Sequence, residues 1–158
     1  MKTEIGLGKK LRDKVTGFTG VATVKTTFLT GNVQYNLATQ VNKEGVSKDL
    51  AFDHFQLEYI GEGVDVIAAP SDTGIKLGEE VKDIITGAKG IATLESTFLN
   101  GCVYYSVSTK DAKDPKEMFV EYRRLTRVGL GVTKQIAART EAAPEKTGGP
   151  SFKVPMRG

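Results

Sequence analysis

Apolar and polar residues alternate over short stretches of this chain, and the alternation predicts β-strands. Between Gly8 and Val15, the side chains of Leu11, Asp13 and Val15 alternate with basic ones, a period of two that places one set on the inner face of a strand. Residues 21–29 are rich in β-branched types and predict a long second strand.

Two further segments continue this pattern. Val33, Tyr35 and Leu37 share one face of a predicted third strand, which follows a turn at Gly31. The segments 50–57 and 118–125 each carry an aromatic cluster and a terminal leucine, and we expect each to be a strand that enters a short helical turn. That turn would plug one end of a small barrel.

The whole pattern occurs twice. Residues 5–35 and 75–105 are identical at 15 of 31 positions, and the most similar stretch, 13–23, returns as 83–93. Beyond it the offset falls from 70 to 68, so that Leu57 corresponds to Leu125. A unit of about 60 residues buries only a marginal core by itself, and we therefore expect two copies joined as a pseudo-twofold pair.

The repeat divides the chain into four parts. We predict an all-β fold with a first β-barrel repeat at 1–64, a linker at 65–74, a second β-barrel repeat at 75–132 and an extended C-terminal arm at 133–158. The linker is long enough for the two copies to pack face to face.

A turn of the form Asp-x-x-Thr-Gly-x-x-Gly follows the first strand of each copy. We expect its aspartate to staple the turn by accepting backbone N–H groups, and its glycines to supply positive φ. A catalytic or metal-binding carboxylate and a phosphate-binding loop are the alternatives, but β-branched residues follow the turn where a phosphate loop opens a helix. The six turn-stapling residues are Asp13, Gly17, Gly20, Asp83, Gly87 and Gly90.

Charge separates the arm from the rest of the chain. Residues 133–158 contain five basic and two acidic residues and so carry the whole formal charge of +3, while 17 basic and 17 acidic residues cancel in the body. A neutral body argues against a nucleic-acid-binding face, which is normally basic. No apolar run approaches the ~20 residues that span a bilayer, so we expect no membrane partner.

Candidates for catalysis and for metal or cofactor binding are few. Cys102 is the single cysteine and His54 the single histidine, and neither has a partner of the same kind with which to hold a metal. We therefore predict no catalytic residues, no metal and no cofactor. The first residues lead directly into the repeat, and we expect synthesis in a cytoplasm without a signal peptide.

Two features predict contacts with partners. Tyr104 lies on the outward face of its strand, where the first copy has Gln34, and an exposed tyrosine suits an interface. In the arm, Phe152, Val154 and Met156 occupy alternate positions, which favours addition of this segment to the sheet edge of another chain.

The motif Leu-Gly-x-x-Leu/Val-x-Asp-x-Val/Ile-Thr-Gly-x-x-Gly-Val/Ile-Ala-Thr, followed by Phe-Leu-x-Gly-x-Val-x-Tyr, resembles a family of small proteins encoded in bacteriophage and prophage genomes. The resemblance covers residues 7–57 and 77–125 and leaves out the arm. The pattern also looks like a Src-homology-3-like small barrel of the KOW type, a fold that hosts many unrelated functions. The resemblance implies a phage origin and no particular activity.

These observations lead to a hypothesis of a phage virion structural protein. It would be made in the host cytoplasm and would act as a capsid decoration protein or as a neck or tail accessory subunit. Its partners would be other virion proteins, in a symmetric assembly that includes copies of itself. The alternative is an intracellular counter-defence module that captures a nucleotide signal or a host protein, with anion contacts from the Thr-Gly turns and from Arg12, Lys82, Arg123 or Arg124.

Overall fold

The structure is a computed structural model that describes residues 4–66, 72–109 and 116–133. The first repeat contains β1 (Lys9–Asp13), β2 (Thr19–Phe28), β3 (Val33–Ala38), β4 (Asp49–Asp53), a 3₁₀ helix (His54–Gln56) and β5 (Leu57–Glu62). The second contains β6 (Glu80–Asp83), β7 (Lys89–Phe98), β8 (Val103–Thr109), β9 (Glu117–Glu121), a 3₁₀ helix (Tyr122–Arg124) and β10 (Leu125–Gly129). The predicted all-β class is confirmed. Among these residues no helix has the length and apolar character needed to cross a membrane.

All ten strands belong to one antiparallel sheet. In the first repeat the strand order is β5-β1-β2-β3-β4, and in the second it is β10-β6-β7-β8-β9. The long strands β2 and β7 pair with each other and so join the repeats. β1 pairs with β2 only over residues 19–21, which leaves residues 24–28 of β2 an edge on which β7 binds.

Two expectations about this architecture are not met. Within the described residues, β4 pairs only with β3 and β5 only with β1, and likewise β9 pairs only with β8 and β10 only with β6. The sheet is therefore open, and two closed barrels are not confirmed. The prediction that the two copies pack face to face is wrong, because β2 and β7 lie side by side and share main-chain hydrogen bonds.

The pairing of β2 with β7 has local twofold symmetry. Thr26 lies opposite Ser96, its own repeat equivalent, and their hydroxyl oxygens are 3.2 Å apart. On either side of this pair, Val24 lies opposite Phe98 and Phe28 opposite Leu94. A pseudo-twofold axis therefore passes between Thr26 and Ser96, roughly perpendicular to the sheet.

A register shift in each long strand separates core positions from outward ones. The shift falls between Ala22 and Val24 in β2 and between Ala92 and Leu94 in β7, so Ala22 and Ala92 are buried while Val24 and Leu94 turn to the other face. The core of the first repeat consists of Leu11, Ala22, Tyr35, Leu37 and Leu57. The core of the second consists of Ile75, Val81, Ala92, Val103, Tyr105, Val107, Val120 and Leu125.

The first strand of each repeat is shorter than its alternation predicts. Val15 was expected on the inner face, and so was its repeat equivalent Ile85, but their exposed fractions are 75% and 70%. The strands end at Asp13 and Asp83, and the chain turns there, so the next two residues leave the sheet.

The predicted helical turn after the fourth strand is confirmed in both repeats as a 3₁₀ helix. Asp53 accepts a hydrogen bond from the Phe55 N–H and Glu121 accepts one from the Arg123 N–H. These side chains satisfy N–H groups that a helix of three residues leaves without a backbone partner.

Candidate interaction surface

The aspartates of the two Thr-Gly turns are nine-tenths or more buried and bind their own turns. Asp13 Oδ2 accepts from the Thr16 N–H at 3.0 Å and from the Thr16 hydroxyl at 2.6 Å. Asp83 accepts from the Ile85 N–H at 3.0 Å and from the Thr86 hydroxyl at 2.9 Å. This is the geometry expected of carboxylates that staple a turn.

Within the described ranges, an ion pair is present at the second turn and not at the first. Arg124 Nη2 lies 2.6 Å from Asp83 Oδ2, and Arg124 Nε lies 3.3 Å from Oδ1. The guanidinium, with further help from turn donors, lowers the pKa of Asp83 to about 2. In the first repeat, Gln56 stands at the equivalent position, and it is chiefly the Thr16 hydroxyl that lowers the pKa of Asp13.

The glycines of these turns serve two different purposes. Gly17 and Gly87 have φ of 80° and 81°, as expected, and this region of backbone conformation favours glycine. For Gly20 and Gly90 the reason differs from the expected one: a Cβ atom would lie 2.8 Å from the Ala38 carbonyl oxygen or 2.2 Å from that of Ser108. Close approach of the neighbouring strand requires these two glycines.

Most of the groups expected to bind an anion are already engaged. Arg12 Nε donates to Glu58 at 2.8 Å, Arg123 donates to Glu121, and Arg124 is bound to Asp83. The Thr16 and Thr86 hydroxyls donate to the aspartates of their own turns. A phosphate at either turn would have to displace a carboxylate that is already hydrogen-bonded there.

A different surface emerges from the strand register. Side chains that point away from the core on β4, β3, β2, β7, β8 and β9 form one continuous face, which we call the outer face. Its centre is apolar on both sides of the pseudo-twofold axis and is made by four half-buried side chains: Val24, Phe28, Leu94 and Phe98.

Tyr104 lies on this face, as predicted, and belongs to an aromatic cluster. Its ring contacts Phe98 edge-on at 5.6 Å between centroids and stacks on Phe119 at 5.0 Å with an angle of 12°. Phe119 remains 53% exposed. Large, stiff and partly exposed rings of this kind are typical anchors at protein interfaces.

Carboxylates flank the apolar centre at both lateral edges. The outward positions of β4 and β9 carry acidic residues at the same places in the two repeats, with an offset of 68: Asp49 with Glu117 and Asp53 with Glu121. Two of them are held by side chains of the outer face, since Asn36 donates to Asp49 at 3.1 Å and Ser106 donates to Glu117 at 2.8 Å. The outer face thus has an apolar centre between two acidic borders.

The single histidine and the single cysteine of the chain do not form a site together. His54 Nδ1 lies 3.3 Å from the Val33 carbonyl oxygen, and its ring packs on Phe55. Cys102 is half-buried in the turn between β7 and β8, where its N–H donates to Asn100 Oδ1 at 3.0 Å. Across the part of the chain that the structure describes, no group of three His, Cys, Asp or Glu side chains is placed to hold a metal.

Three predicted contact residues, Phe152, Val154 and Met156, lie outside the described residues. Phe119 and the four acidic positions were not selected from the sequence. Recurrence of the acids at an offset of 68 was a usable signal, but the strand pairing was needed to place them on one face with Tyr104. Comparison of the chain with family models, with curated proteins and with solved structures found no match.

Proposed function

We propose that this chain is a bacteriophage virion structural protein that acts through protein–protein contacts. It would serve as a capsid decoration protein or as a neck or tail accessory subunit. We further propose that each repeat is an open variant of a Src-homology-3-like module. Supporting observations are the five-strand order, the long strand shared between both halves of the repeat, and the 3₁₀ turn before the last strand.

The outer face is the observation that carries the proposal. A rigid sheet presents Phe98, Tyr104 and Phe119 in mutual contact, and aromatic side chains lose little conformational entropy when a partner buries them. The bordering carboxylates are fixed by hydrogen bonds, so a basic partner surface meets them in a defined geometry.

Pseudo-twofold symmetry supports a place in a symmetric assembly. Equivalent residues flank the axis at Thr26 and Ser96, so the face offers two similar half-surfaces about 70 residues apart in sequence. Two neighbouring copies of one partner, related by a twofold axis of a particle, would each meet the same strand arrangement and the same acidic positions. The stacked pair of Tyr104 and Phe119 distinguishes one half from the other, which has Gln34 and Ala51 there.

The counter-defence alternative has less support. It relied on free donors at the Thr-Gly turns, and these donors are used within the chain. The open strand edges and the aromatic face favour a protein surface over a small anionic ligand.

The test is quantitative mass spectrometry of washed particles of the phage that encodes the chain. We expect tens to hundreds of copies per particle, with the count indicating the capsid, neck or tail. A phage carrying Phe119→Arg should lose most of these copies, whereas one carrying Phe55→Arg, at an exposed ring outside the outer face, should keep them. Absence of the wild-type protein from washed particles would refute the proposal.

A further inference from the structure

The edge of β9 has its own unpaired main-chain groups, and their direction follows from the register. The Thr109 N–H donates to the Lys116 carbonyl at 2.8 Å, so Lys116 faces β8. Alternation then directs the main-chain groups of Met118 and Val120 to β8 and those of Glu117, Phe119 and Glu121 to the free edge. Among described residues, β9 pairs with β8 alone.

The side chains of β9 divide with the same period. Met118 and Val120 face the core, and Val120 is 5% exposed. Glu117, Phe119 and Glu121 face outward, as an acid, an aromatic ring and a second acid at intervals of two. A strand added here would place one set of its side chains over the core and the other beside this row.

The last residues of the chain carry the complementary pattern. In Ser151–Arg157, apolar Phe152, Val154 and Met156 alternate with Lys153, Pro155 and Arg157. The basic residues are four positions apart, as are Glu117 and Glu121, and a proline lies between them where β9 has Phe119.

We propose that residues 152–157 of a second copy of this chain add to β9 as a parallel strand. Lys153 then lies beside Glu117, Pro155 beside Phe119, and Arg157 beside Glu121. Phe152, Val154 and Met156 extend the core face next to Met118 and Val120. This inference rests on the proposed function, in that the contact links copies within an assembly.

Pro155 determines whether the added strand runs parallel or antiparallel to β9. In a parallel pair, when one residue directs its main-chain N–H and C=O groups to the neighbouring strand, the residue directly opposite directs its own groups away. The main-chain groups of Phe119 point to the added strand, so Pro155 opposite it loses no hydrogen bond. In an antiparallel pair the two residues would face each other, and the missing N–H would leave the Phe119 carbonyl unpaired. A shift by one residue would move the three apolar side chains to the outer face.

The edge of β4 in the first repeat is a weaker acceptor for the same segment. It has Asp49 and Asp53 in place of the glutamates, but Ala51 stands where β9 has Phe119. An alanine offers Pro155 little surface, whereas the Phe119 ring is 53% exposed and already stacked on Tyr104.

Disulfide trapping between two full-length variants tests the contact. One protein carries Phe119→Cys and the other Pro155→Cys, both in a Cys102→Ser background, and the mixture is oxidised mildly. We expect the mixed disulfide at least about tenfold faster than with Val154→Cys as the second partner, because residue 154 points to the opposite face. Equal rates for the two, a faster reaction of Ala51→Cys with Pro155→Cys, or no mixed dimer would overturn the proposal.

A second variant pair leaves the arm intact. Phe119→Pro removes the N–H that points to the free edge together with the ring stacked on Tyr104. Phe119→Ala removes the ring alone and should weaken self-association less, and Ala51→Pro is the corresponding change on β4. With far-UV circular dichroism unchanged, we expect Phe119→Pro to reduce self-association of the full chain in sedimentation at least tenfold and Ala51→Pro to leave it unchanged. If the mixed disulfide forms but washed particles lack the protein, only the virion role is refuted. If particles contain the protein but the mixed disulfide does not form, only this contact is refuted.

Discussion

The two repeats share one strand plan and hold it with different polar contacts. In the second repeat, Arg124 pairs with the buried Asp83, and Arg127 pairs with Glu79. In the first, the described donors to Asp13 all belong to its own turn, and Lys9, which stands where the second repeat has Glu79, binds Glu62. The two repeats therefore share one backbone path, but the side chains that form ion pairs at equivalent positions differ between them.

The central tyrosines differ most. The Tyr105 hydroxyl oxygen lies 3.0 Å from the Ile75 carbonyl oxygen and 2.7 Å from a Glu95 carboxylate oxygen, which share its one proton, and it also contacts the Thr73 hydroxyl. Its repeat equivalent, Tyr35, is buried and its pKa is raised by burial, but the residue that corresponds to Glu95 is Lys25. Tyr105 thereby fixes the chain that enters the second repeat onto that repeat's core.

The comparison teaches that the second repeat is the more firmly organised half. Eight residues form its buried cluster, against five in the first, and it contains five of the six buried polar side chains of the described residues. Satisfied buried polar groups specify one arrangement of a core. We therefore expect the first repeat to open before the second.

The largest expected effect comes from Leu37→Ala in the core of the first repeat. Leu37 is fully buried, and its truncation should lower the free energy of unfolding by about 2–5 kcal/mol. Chemical denaturation measures the loss, and hydrogen exchange should show β3 amides losing more protection than β8 amides. Equal loss of protection in both strands would show that the repeats open as one unit.

Tyr105→Phe should cost about 1–3 kcal/mol, because Glu95 and the Ile75 carbonyl lose the one hydroxyl donor that they share in a half-buried or buried setting. Tyr35→Phe is the matched control and should cost clearly less in the same denaturation experiment. A cost for Tyr35→Phe as large as that for Tyr105→Phe would contradict the asymmetry between the two cores.

Exchange of the residues at 56 and 124 tests the ion pair by its pH dependence. The folded-state pKa of Asp83, about 2, lies below the ordinary aspartate value of 3.8, so its stabilising contribution is present above about pH 4 and is lost as pH falls towards 2. Arg124→Gln should raise this pKa, and Gln56→Arg should lower the pKa of Asp13 further. NMR titration of the two carboxylates measures both shifts, and an unchanged Asp83 pKa in Arg124→Gln would disprove the assigned cause.

Removal of a surface ion pair should have the smallest effect. Arg12 and Glu58 are joined at 2.8 Å, but their side chains are 47% and 40% exposed, and such pairs contribute at most about 1 kcal/mol. Arg12→Gln should therefore leave the melting temperature within a degree or two. A large drop in differential scanning calorimetry would show that the first repeat depends on surface charge more than its contacts indicate.

Sequence reasoning anticipated the strands and turns because their signals are local. Alternation placed Tyr35 and Leu37 on one face, and the repeat extends this to Tyr105 and Val107; all four are buried in the core. The turn chemistry around Asp13 and Asp83 was visible from residue types alone. The short first strands were missed because Val15 and Ile85 continue the alternation while the chain has already left the sheet. Apolar character by itself does not mark the end of a strand.

The joining of the repeats was not predictable in this way. Pairing of β2 with β7 depends on an edge that becomes free only because β1 is short, and no single residue reports it. The outer face follows from that pairing and from the register shifts after Ala22 and Ala92. Phe119 and the acidic borders therefore acquire meaning only in three dimensions.

The most direct test of this account is a disulfide across the pseudo-twofold axis. Thr26 and Ser96 face each other with hydroxyl oxygens 3.2 Å apart, and the neighbouring hydrogen bond from the Leu29 N–H to the Thr93 carbonyl makes theirs a non-hydrogen-bonded pair, for which Cα atoms lie about 4.5 Å apart. In Thr26→Cys/Ser96→Cys/Cys102→Ser, we expect mild oxidation to form an intramolecular disulfide and to raise the melting temperature. Failure to form it, with both thiols reactive in the folded protein, would contradict a single sheet built around that axis.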